Sequence, residues 1–374
     1  MLKGIFVDDR PDQKQYAELL EQARDGSISV NFLAPNVDAT QLVEKLIDAN
    51  LDFVALDFRL DEVPVVSQYG SFTKANRYKA SAVAQQFRDR VIDDPKLDIP
   101  LILLSQEDNI TTMFSKDTTA LDLFDAVLKK EVLTEARASI EVAQQVIGMA
   151  KAYQVAKNLL GSSNMVAHLC EIDEKTEGFV LEHQAIRAIG RLEFAHQIVP
   201  KIRKLLIDQP GILVSTEQLL ARLGVAPGSA EISALLNRLD QDGMAYQGIL
   251  SDGWPRWWWH RVEIWAKGTL GETPGTLLGT ERVRRLNEAL GLSLEAAKSR
   301  WSCSSDEYFW TACQCCGQPT ELDHAVLVYE ENRPPFVDPQ RVCWKCIETG
   351  DSWIEIDDVD SEIVKKIQNG QLAN

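Results

Sequence analysis

Polar residues that handle cations and phosphate follow four short apolar runs in the first third of this chain. The runs GIFV, DFVAL, PLILL and FDAVL are followed, in that order, by Asp8 and Asp9, by Asp57, by Ser105, and by Lys129 and Lys130. Carboxylates are the oxygen ligands that Mg²⁺ prefers, and an ammonium group can pair with phosphate as a point charge. The residue types therefore predict a site for a divalent cation and a phosphoryl group.

The apolar runs alternate with helical patterns, which is typical of buried strands in a parallel sheet. Helices are predicted over residues 11–26, 38–50 and 80–92, and ISVNFLA supplies a further strand. The carboxyl ends of parallel strands meet at one edge of a sheet, where ligands bind in such folds. We therefore predict a doubly wound α/β domain over residues 1–132, with a five-stranded parallel sheet and the polar residues at one edge.

The motifs FVDDR, ALDFRLDE, LILLSQED and DAVLKK occur in the order that the receiver domains of two-component response regulators use. The first third of the chain resembles that family. The resemblance implies that Asp57 is the phosphorylated residue and that Ser105 and Lys130 contact the phosphoryl group, with Lys129 as the alternative lysine. It also implies that a histidine kinase or a phosphotransfer protein supplies the phosphate.

The same resemblance implies a Mg²⁺ site. Its ligands would be the carboxylates of Asp8, Asp9 and Asp57 and the backbone carbonyl of Arg59. Mg²⁺ keeps several of its waters, so a shallow edge with a few carboxylates suits it.

Three features depart from the receiver pattern. Glu131 follows the lysine where the family usually has proline, and Gln106 follows Ser105 where a small residue is usual. The stretch 61–79 also lengthens the chain beside Asp57. Two alternatives result: a phosphorylated switch, and a pseudo-receiver that serves as a non-catalytic adaptor in a multi-subunit assembly, for example in defence.

Two C-x-x-C pairs lie near the carboxyl end of the chain. They predict a zinc ribbon over residues 301–350 with the ligands Cys313, Cys316, Cys343 and Cys346. Four thiolates leave no open coordination position, so the zinc would be structural. The neighbouring Cys315 leaves the register open, and Cys303 and His324 are alternative ligands; the isolated Cys170 is expected in a core.

The middle of the chain is predicted in segments. Residues 133–206 form a helical linker or subdomain, whose amphipathic first helix could also dimerise. Residues 207–268 show a helix, a turn, a helix and a hairpin, and they resemble a winged helix-turn-helix module; the hairpin is predicted from MAYQGIL and WPRWWWHRVEIW. A connecting helix over 280–300 and an acidic tail over 351–374 complete the chain.

A cluster of aromatic and basic residues marks the predicted hairpin. As an interaction surface it would comprise Arg256, Trp257, Trp258, Trp259 and Arg261. Tryptophan and arginine are enriched where proteins bind one another, and aromatic rings also stack on bases. The alternative is that the tryptophans pack in the core.

Bulk properties narrow the class of protein. A length of 374 residues predicts several domains, and the net charge of −17 disfavours DNA and favours protein partners or a cation. We expect no signal peptide and no membrane span, and the clustered cysteines favour a reducing cytoplasm. We expect no enzyme activity beyond receiver-type self-phosphorylation and dephosphorylation.

Overall fold

The computed structural model describes residues 1–24, 26–36, 38–61, 78–108, 110, 122–331, 333–352 and 354–372. Most of the predicted 61–79 insertion therefore lies outside the described residues. The chain forms two compact units. Unit 1 comprises Met1–Leu181, Ile186–Ile202 and Gly248–Trp254; unit 2 comprises Glu182–Ala185, Arg203–Gln247 and Pro255–Asn374.

Unit 1 contains a five-stranded parallel sheet. Its strands are β1 (Leu2–Val7), β2 (Ile28–Leu33), β3 (Phe53–Leu56), β4 (Leu101–Ser105) and β5 (Ala126–Lys129). They lie in the order β2-β1-β3-β4-β5, and every neighbouring pair is parallel. The predicted five-stranded, doubly wound α/β domain is confirmed.

Helices cover both faces of this sheet, because its strands are apolar on both sides. The first three are α1 (Lys14–Gln22), α2 (Ala39–Asp48) and α3 (Ala80–Asp93). The side chains of α2 and α3, among them Leu42 and Phe87, pack on one face of the sheet. Leu20 of α1 packs on the other face. A sheet buried on both faces needs no polar alternation in its strands, which is the pattern that the sequence showed.

The helical region after β5 begins with a helix that belongs to the same core. It comprises α4 (Ala136–Leu159), α5 (Met165–Cys170), α6 (Glu174–Leu181), α7 (Gln184–Ile189), α8 (Ala195–Ile202) and a π-helical turn at Arg203–Ile207. Val142, Val146 and Ile147 of α4 pack with Leu20 against the sheet. The sheet domain therefore extends beyond the boundary predicted at residue 132. Cys170 is buried, as expected.

A buried network of charges connects these helices to the edge of the sheet where its strands begin. The two terminal nitrogens of Arg88, on α3, donate to Asp98 and Asp125, each at 2.8 Å. Tyr153 of α4 donates its hydroxyl to Asp125, and the backbone N–H of His196 on α8 donates to Asp98. Since each carboxylate has several donors, the cost of burying these charges is offset.

The amino-terminal part of unit 2 contains two of the predicted helices. Its elements are β6 (Leu213–Val214), α9 (Thr216–Leu223), α10 (Ile232–Gln241), β7 (Trp257–Trp258), α11 (Trp259–Leu270) and α12 (Gly279–Leu290). Ser215 caps α9 by accepting a hydrogen bond from the N–H of Gln218, and Gly224 ends it in a left-handed conformation. α12 matches the first part of the predicted connecting helix.

The predicted hairpin is wrong: MAYQGIL forms no strand beyond a bridge at Ala245, and the segment from Trp259 onward is helical. β7 pairs antiparallel with β6 and bridges to Ala245, but α11 begins directly after it. The spacing of Val262, Ala266 and Leu270 explains the helix, because residues four apart share one face and all three are buried. Any alternation of apolar and polar residues within 259–265 is short. The four-residue spacing of the buried side chains extends further along the chain and favours the helix.

The cysteine-rich part of unit 2 contains two small antiparallel pairs and two helices. These are β8 (Phe309–Ala312) with β9 (Pro319–Glu321), β10 (Ala325–Leu327) with β11 (Arg341–Cys343), α13 (Trp344–Thr349) and α14 (Ser361–Gln368). The predicted acidic tail is not a loose extension: Ile356 bridges to Val328, and Ile367 packs into the core that contains the cysteines. No helix in the described part of the chain is both long and apolar enough to cross a membrane.

Candidate phosphoryl and metal sites

The polar residues predicted at the strand ends of unit 1 converge at one edge of the sheet. We call this set the carboxylate–lysine site; it comprises Asp8, Asp9, Asp57, Ser105 and Lys130. The two aspartates of the first pair follow β1, Asp57 follows β3, Ser105 ends β4 and Lys130 follows β5. Because these four strands are neighbours in the sheet, residues about 50 to 120 positions apart meet, and all five are buried.

Lys130 is at the centre of the site. Its Nζ lies 2.7 Å from both Asp8 Oδ2 and Asp57 Oδ1. The hydroxyl of Ser105 donates to Asp57 Oδ1 at 3.0 Å. Lys129, the alternative lysine, lies on the surface and pairs with Glu107. The structure therefore places Lys130, and not Lys129, against the carboxylates.

Backbone groups hold the two carboxylates in place. The N–H of Arg59 donates to Asp57 Oδ2 at 2.8 Å, and the N–H of Arg10 donates to Asp8 Oδ1 at the same distance. Arg59 was predicted as a ligand through its carbonyl; the contact seen here is through its N–H. Each carboxylate is thus oriented by the turn that directly follows its own strand.

One member of the site was not predicted from the sequence. Gln13 is buried, and its Oε1 accepts a hydrogen bond from Lys130 Nζ at 3.2 Å. The rings of Phe6 and Tyr16 lie 5.4 and 5.5 Å from the same nitrogen. A glutamine just before a helix is ordinarily solvated, so its type and position carried no signal.

The site has an excess of negative charge that a divalent cation would balance. Burial, and then the neighbouring Asp57, raise the pKa of Asp8 to about 6, although Lys130 opposes this. Burial disfavours the charged form of Lys130, but Asp57 and Asp8 outweigh it and raise the pKa of this lysine. Two carboxylates, those of Asp8 and Asp57, contact one ammonium group, and Asp9 adds a third carboxyl group beside them, so the oxygen-rich donor set fits Mg²⁺.

The four predicted cysteine ligands also converge. The sulfurs of Cys313, Cys316, Cys343 and Cys346 all lie within 4.8 Å of one another. The distances from Cys313 to Cys346 and from Cys316 to Cys343 are both 3.9 Å. A zinc ion about 2.3 Å from each of four tetrahedral sulfurs requires sulfur–sulfur distances of about 3.8 Å. We call this set the four-cysteine site, and its geometry fits zinc.

The structure decides between the ligands that the sequence left open. Cys315 directs its sulfur to the carbonyl of Asp351, Cys303 is exposed, and His324 lies against Glu321. None of the three belongs to the cluster. The register of the first pair is therefore Cys313 with Cys316.

The two cysteine pairs are built differently. Cys313 and Cys316 flank the turn between β8 and β9, which Gly317 closes in a left-handed conformation with its N–H on the Cys313 carbonyl. Cys343 ends β11, and Cys346 lies in the first turn of α13. The second pair thus sits on a strand-to-helix junction and not on a second hairpin turn. Arg300 donates to Cys346 Sγ at 3.3 Å.

The structure buries two of the five residues of the predicted aromatic interaction surface. Trp257 and Trp258 are buried, 6% and 1% exposed, and Trp259 packs half-buried on the core of unit 2. Arg256 donates to the carbonyl of Ile207, and Arg261 donates to the carbonyl of Gly243. The alternative of core packing therefore holds for Trp257 and Trp258, and both arginines are also bound to backbone carbonyls.

Comparison with known proteins gives similarity in structure only. No protein-family model matches the chain, and no curated protein matches its sequence. The signal receiver domain of NarL from Mycobacterium tuberculosis is 17% identical, with a TM-score of 0.27; the match covers 40% of this chain and 96% of that domain.

A second similar structure is RcsB from Salmonella enterica serovar Typhimurium bound to promoter rprA. It is 15% identical, with a TM-score of 0.25, and the match covers 64% of this chain and 98% of that one. The assignment of a receiver-like fold to unit 1 rests on the strand order of this chain itself.

Proposed function

We propose that this protein is a response-regulator-like switch that accepts a phosphoryl group on Asp57. One observation carries the proposal: a carboxylate, a hydroxyl and an ammonium group meet at the carboxyl edge of a parallel sheet, beside two further carboxylates. Phosphoryl transfer depends on such positioning and charge neutralisation. A histidine kinase or a phosphotransfer protein is the donor that the proposal requires.

The residues have distinct roles in this reaction. An oxygen of Asp57 forms a bond to phosphorus while the bond from phosphorus to the donor nitrogen of a phosphohistidine breaks, so the phosphoryl group moves without a net redox change. Lys130 and Ser105 already touch Asp57 Oδ1 and can follow the new phosphoryl oxygens. Asp8 and Asp9 would hold Mg²⁺, which supplies charge neutralisation when bound.

Unit 2 is the proposed output region, with a structural zinc ion in the four-cysteine site. We propose a protein partner for it in the cytoplasm. The charge of −17 weakens attraction to phosphate backbones. The helix α10, where a winged-helix module would read DNA, carries Asp240 near its end as well as Arg238.

A second candidate function has its own supporting observation. Asp57 is only 5% exposed, and its two oxygens already receive donors from Lys130, Ser105 and the N–H of Arg59. A nucleophile that is enclosed in this way favours an adaptor, in which the receiver-like unit is kept as a binding platform. A phosphoryl donor could then reach Asp57 only after the surrounding residues open locally. In an adaptor it would not reach Asp57 at all.

Intact-mass spectrometry separates the two candidates. The full chain is incubated with Mg²⁺ and a small acyl-phosphate donor, and the switch predicts a mass gain of one phosphoryl group that Asp57→Asn loses. Asp52→Asn is the matched control, because Asp52 precedes the same strand at the opposite edge, where it accepts hydrogen bonds from the backbone N–H of Lys3 and the side-chain amide of Gln154. If no phosphorylated species forms with any donor, the adaptor stands and the switch is rejected.

A further inference from the structure

A small cavity in unit 2 is lined by residues that belong to neither of the sites described above. Its volume is about 160 Å³, and its lining comes from α9, from β8 and from the segment that leads into β11. Three of its lining residues are charged: Arg222, Asp338 and Arg341. The whole chain has a net charge of −17, whereas these three lining side chains, two arginines and one aspartate, carry a net positive charge.

Arg222 is held rigidly at this cavity. Its side chain is 3% exposed, and its guanidinium lies 4.6 Å from the ring of Trp259 and 5.3 Å from that of Trp310. Its Nη2 donates to Asp338, while its Nε is buried without a hydrogen-bond partner among the described residues. A buried donor that lacks an acceptor is costly, so this guanidinium has capacity for a further acceptor.

Arg341 supplies the second cation. It lines the same cavity at the start of β11, and no ion pair or side-chain hydrogen bond links its guanidinium to another described residue. The charges of Asp360, Asp323 and Arg333 influence this guanidinium without forming an ion pair with it. Asp338, which already pairs with Arg222, is half-exposed and shows that a carboxylate can reach this place.

We propose that the cavity binds an oxyanion, a phosphate or a carboxylate group, between the guanidinium groups of Arg222 and Arg341. The two parallel N–H groups of a guanidinium match the oxygen spacing of both phosphate and carboxylate groups. A tryptophan ring beside the site keeps water away, and this lowers the local dielectric constant and strengthens each charged hydrogen bond. Asp338 competes with the ligand for Arg222, and it moves aside when the ligand binds. Leu322, which is 43% exposed, lines the cavity and gives an organic anion an apolar contact.

Isothermal titration of the zinc-loaded full chain tests this site with two probes. Inorganic phosphate and glutarate are each titrated against the protein in chloride buffer of matched ionic strength. Binding of phosphate alone assigns a phosphate ligand, and binding of glutarate alone assigns a carboxylate, such as an acidic side chain of a partner. Binding of neither probe overturns the proposal.

Two substitutions must shift the affinity in opposite directions. Arg341→Gln should weaken binding about tenfold, because one of two cations is lost. Asp338→Asn should tighten it about tenfold, because the competing charge is removed while the shape is kept. Arg238→Gln, at an exposed ion pair on α10, should leave the affinity unchanged. An unchanged affinity in both Arg341→Gln and Asp338→Asn, with each variant folded by circular dichroism, contradicts the site.

Discussion

The carboxylate–lysine site and the four-cysteine site both collect residues from distant parts of the chain, but they depend on their surroundings in opposite ways. The first lies at the edge of a sheet that has a large apolar core on each face. The second lies inside a small cluster in which cysteines are themselves core members, beside Val326, Val342 and Ile367. We therefore expect unit 1 to fold without a metal and the cysteine-rich part of unit 2 to depend on one. The comparison thus predicts a metal that binds to an already folded site in unit 1 and a metal that holds the core together in the cysteine-rich part of unit 2.

The largest expected effect comes from opening the four-cysteine site. Cys346→Ser should remove zinc and unfold the cysteine-rich part of unit 2, because structural zinc contributes about 10–16 kcal/mol in small zinc domains. Limited proteolysis should then cut within residues 309–368, and metal analysis should show less than one zinc per chain. Cys315→Ser is the control, since its sulfur lies outside the cluster. Equal protease resistance of the two variants would contradict the expectation that the cysteine-rich part of unit 2 depends on a metal.

Unit 1 should depend instead on its own packing and buried charges. Arg88→Leu leaves Asp98 and Asp125 buried without their cation, which should lower the free energy of unfolding by about 3–5 kcal/mol. Arg90→Leu, two positions along α3, breaks only an exposed contact to Glu44 at 3.7 Å and should cost less than about 1 kcal/mol. Urea unfolding of both variants measures the difference. Similar costs would show that the network contributes little.

Asp8 gives a test of the metal as a ligand in unit 1. Its pKa is raised to about 6 from an ordinary value of 3.8. The stability that its protonated form provides is complete below about pH 4, and it is lost as the pH rises through about 6. Asp8→Asn should therefore stabilise the metal-free protein above pH 7 by up to about 3 kcal/mol. It should also abolish any rise in melting temperature on adding Mg²⁺.

Thermal unfolding between pH 5 and pH 8, with and without Mg²⁺, measures both effects. Asp12→Asn is the control, because Asp12 is exposed nearby and pairs with Arg10. A wild-type melting temperature that does not fall between pH 5 and pH 8 would contradict the assignment to Asp8.

The sequence predicted those parts of both sites that depend on local patterns. Strand ends are readable from apolar runs, so Asp57 and Lys130 could be placed at one edge, and C-x-x-C spacing identified Cys313 and Cys343. Gln13 could not be predicted, because its role depends on where Lys130 points once the sheet has formed.

Long-range packing determines the features that were predicted wrongly or could not be predicted from the sequence. The helix at Trp259 depends on which face of the segment the core of unit 2 covers. The packing of Ile367 on the cysteine core turned a predicted tail into part of the fold. Arg222 and Arg341 are more than 100 residues apart, and no local pattern links them.

The smallest expected effect separates the two adjacent lysines. Lys130→Met removes the ammonium group between Asp8 and Asp57, so the site gains negative charge and should bind Mg²⁺ about tenfold more tightly, by about 1.4 kcal/mol. Lys129→Met breaks only a surface pair with Glu107 and should leave the affinity unchanged. Titration calorimetry with Mg²⁺ gives both values. If Lys129→Met tightened Mg²⁺ binding as much as Lys130→Met, the effect would come from the overall charge of the protein. The assignment of the Mg²⁺ site to the carboxylate–lysine site would then be contradicted.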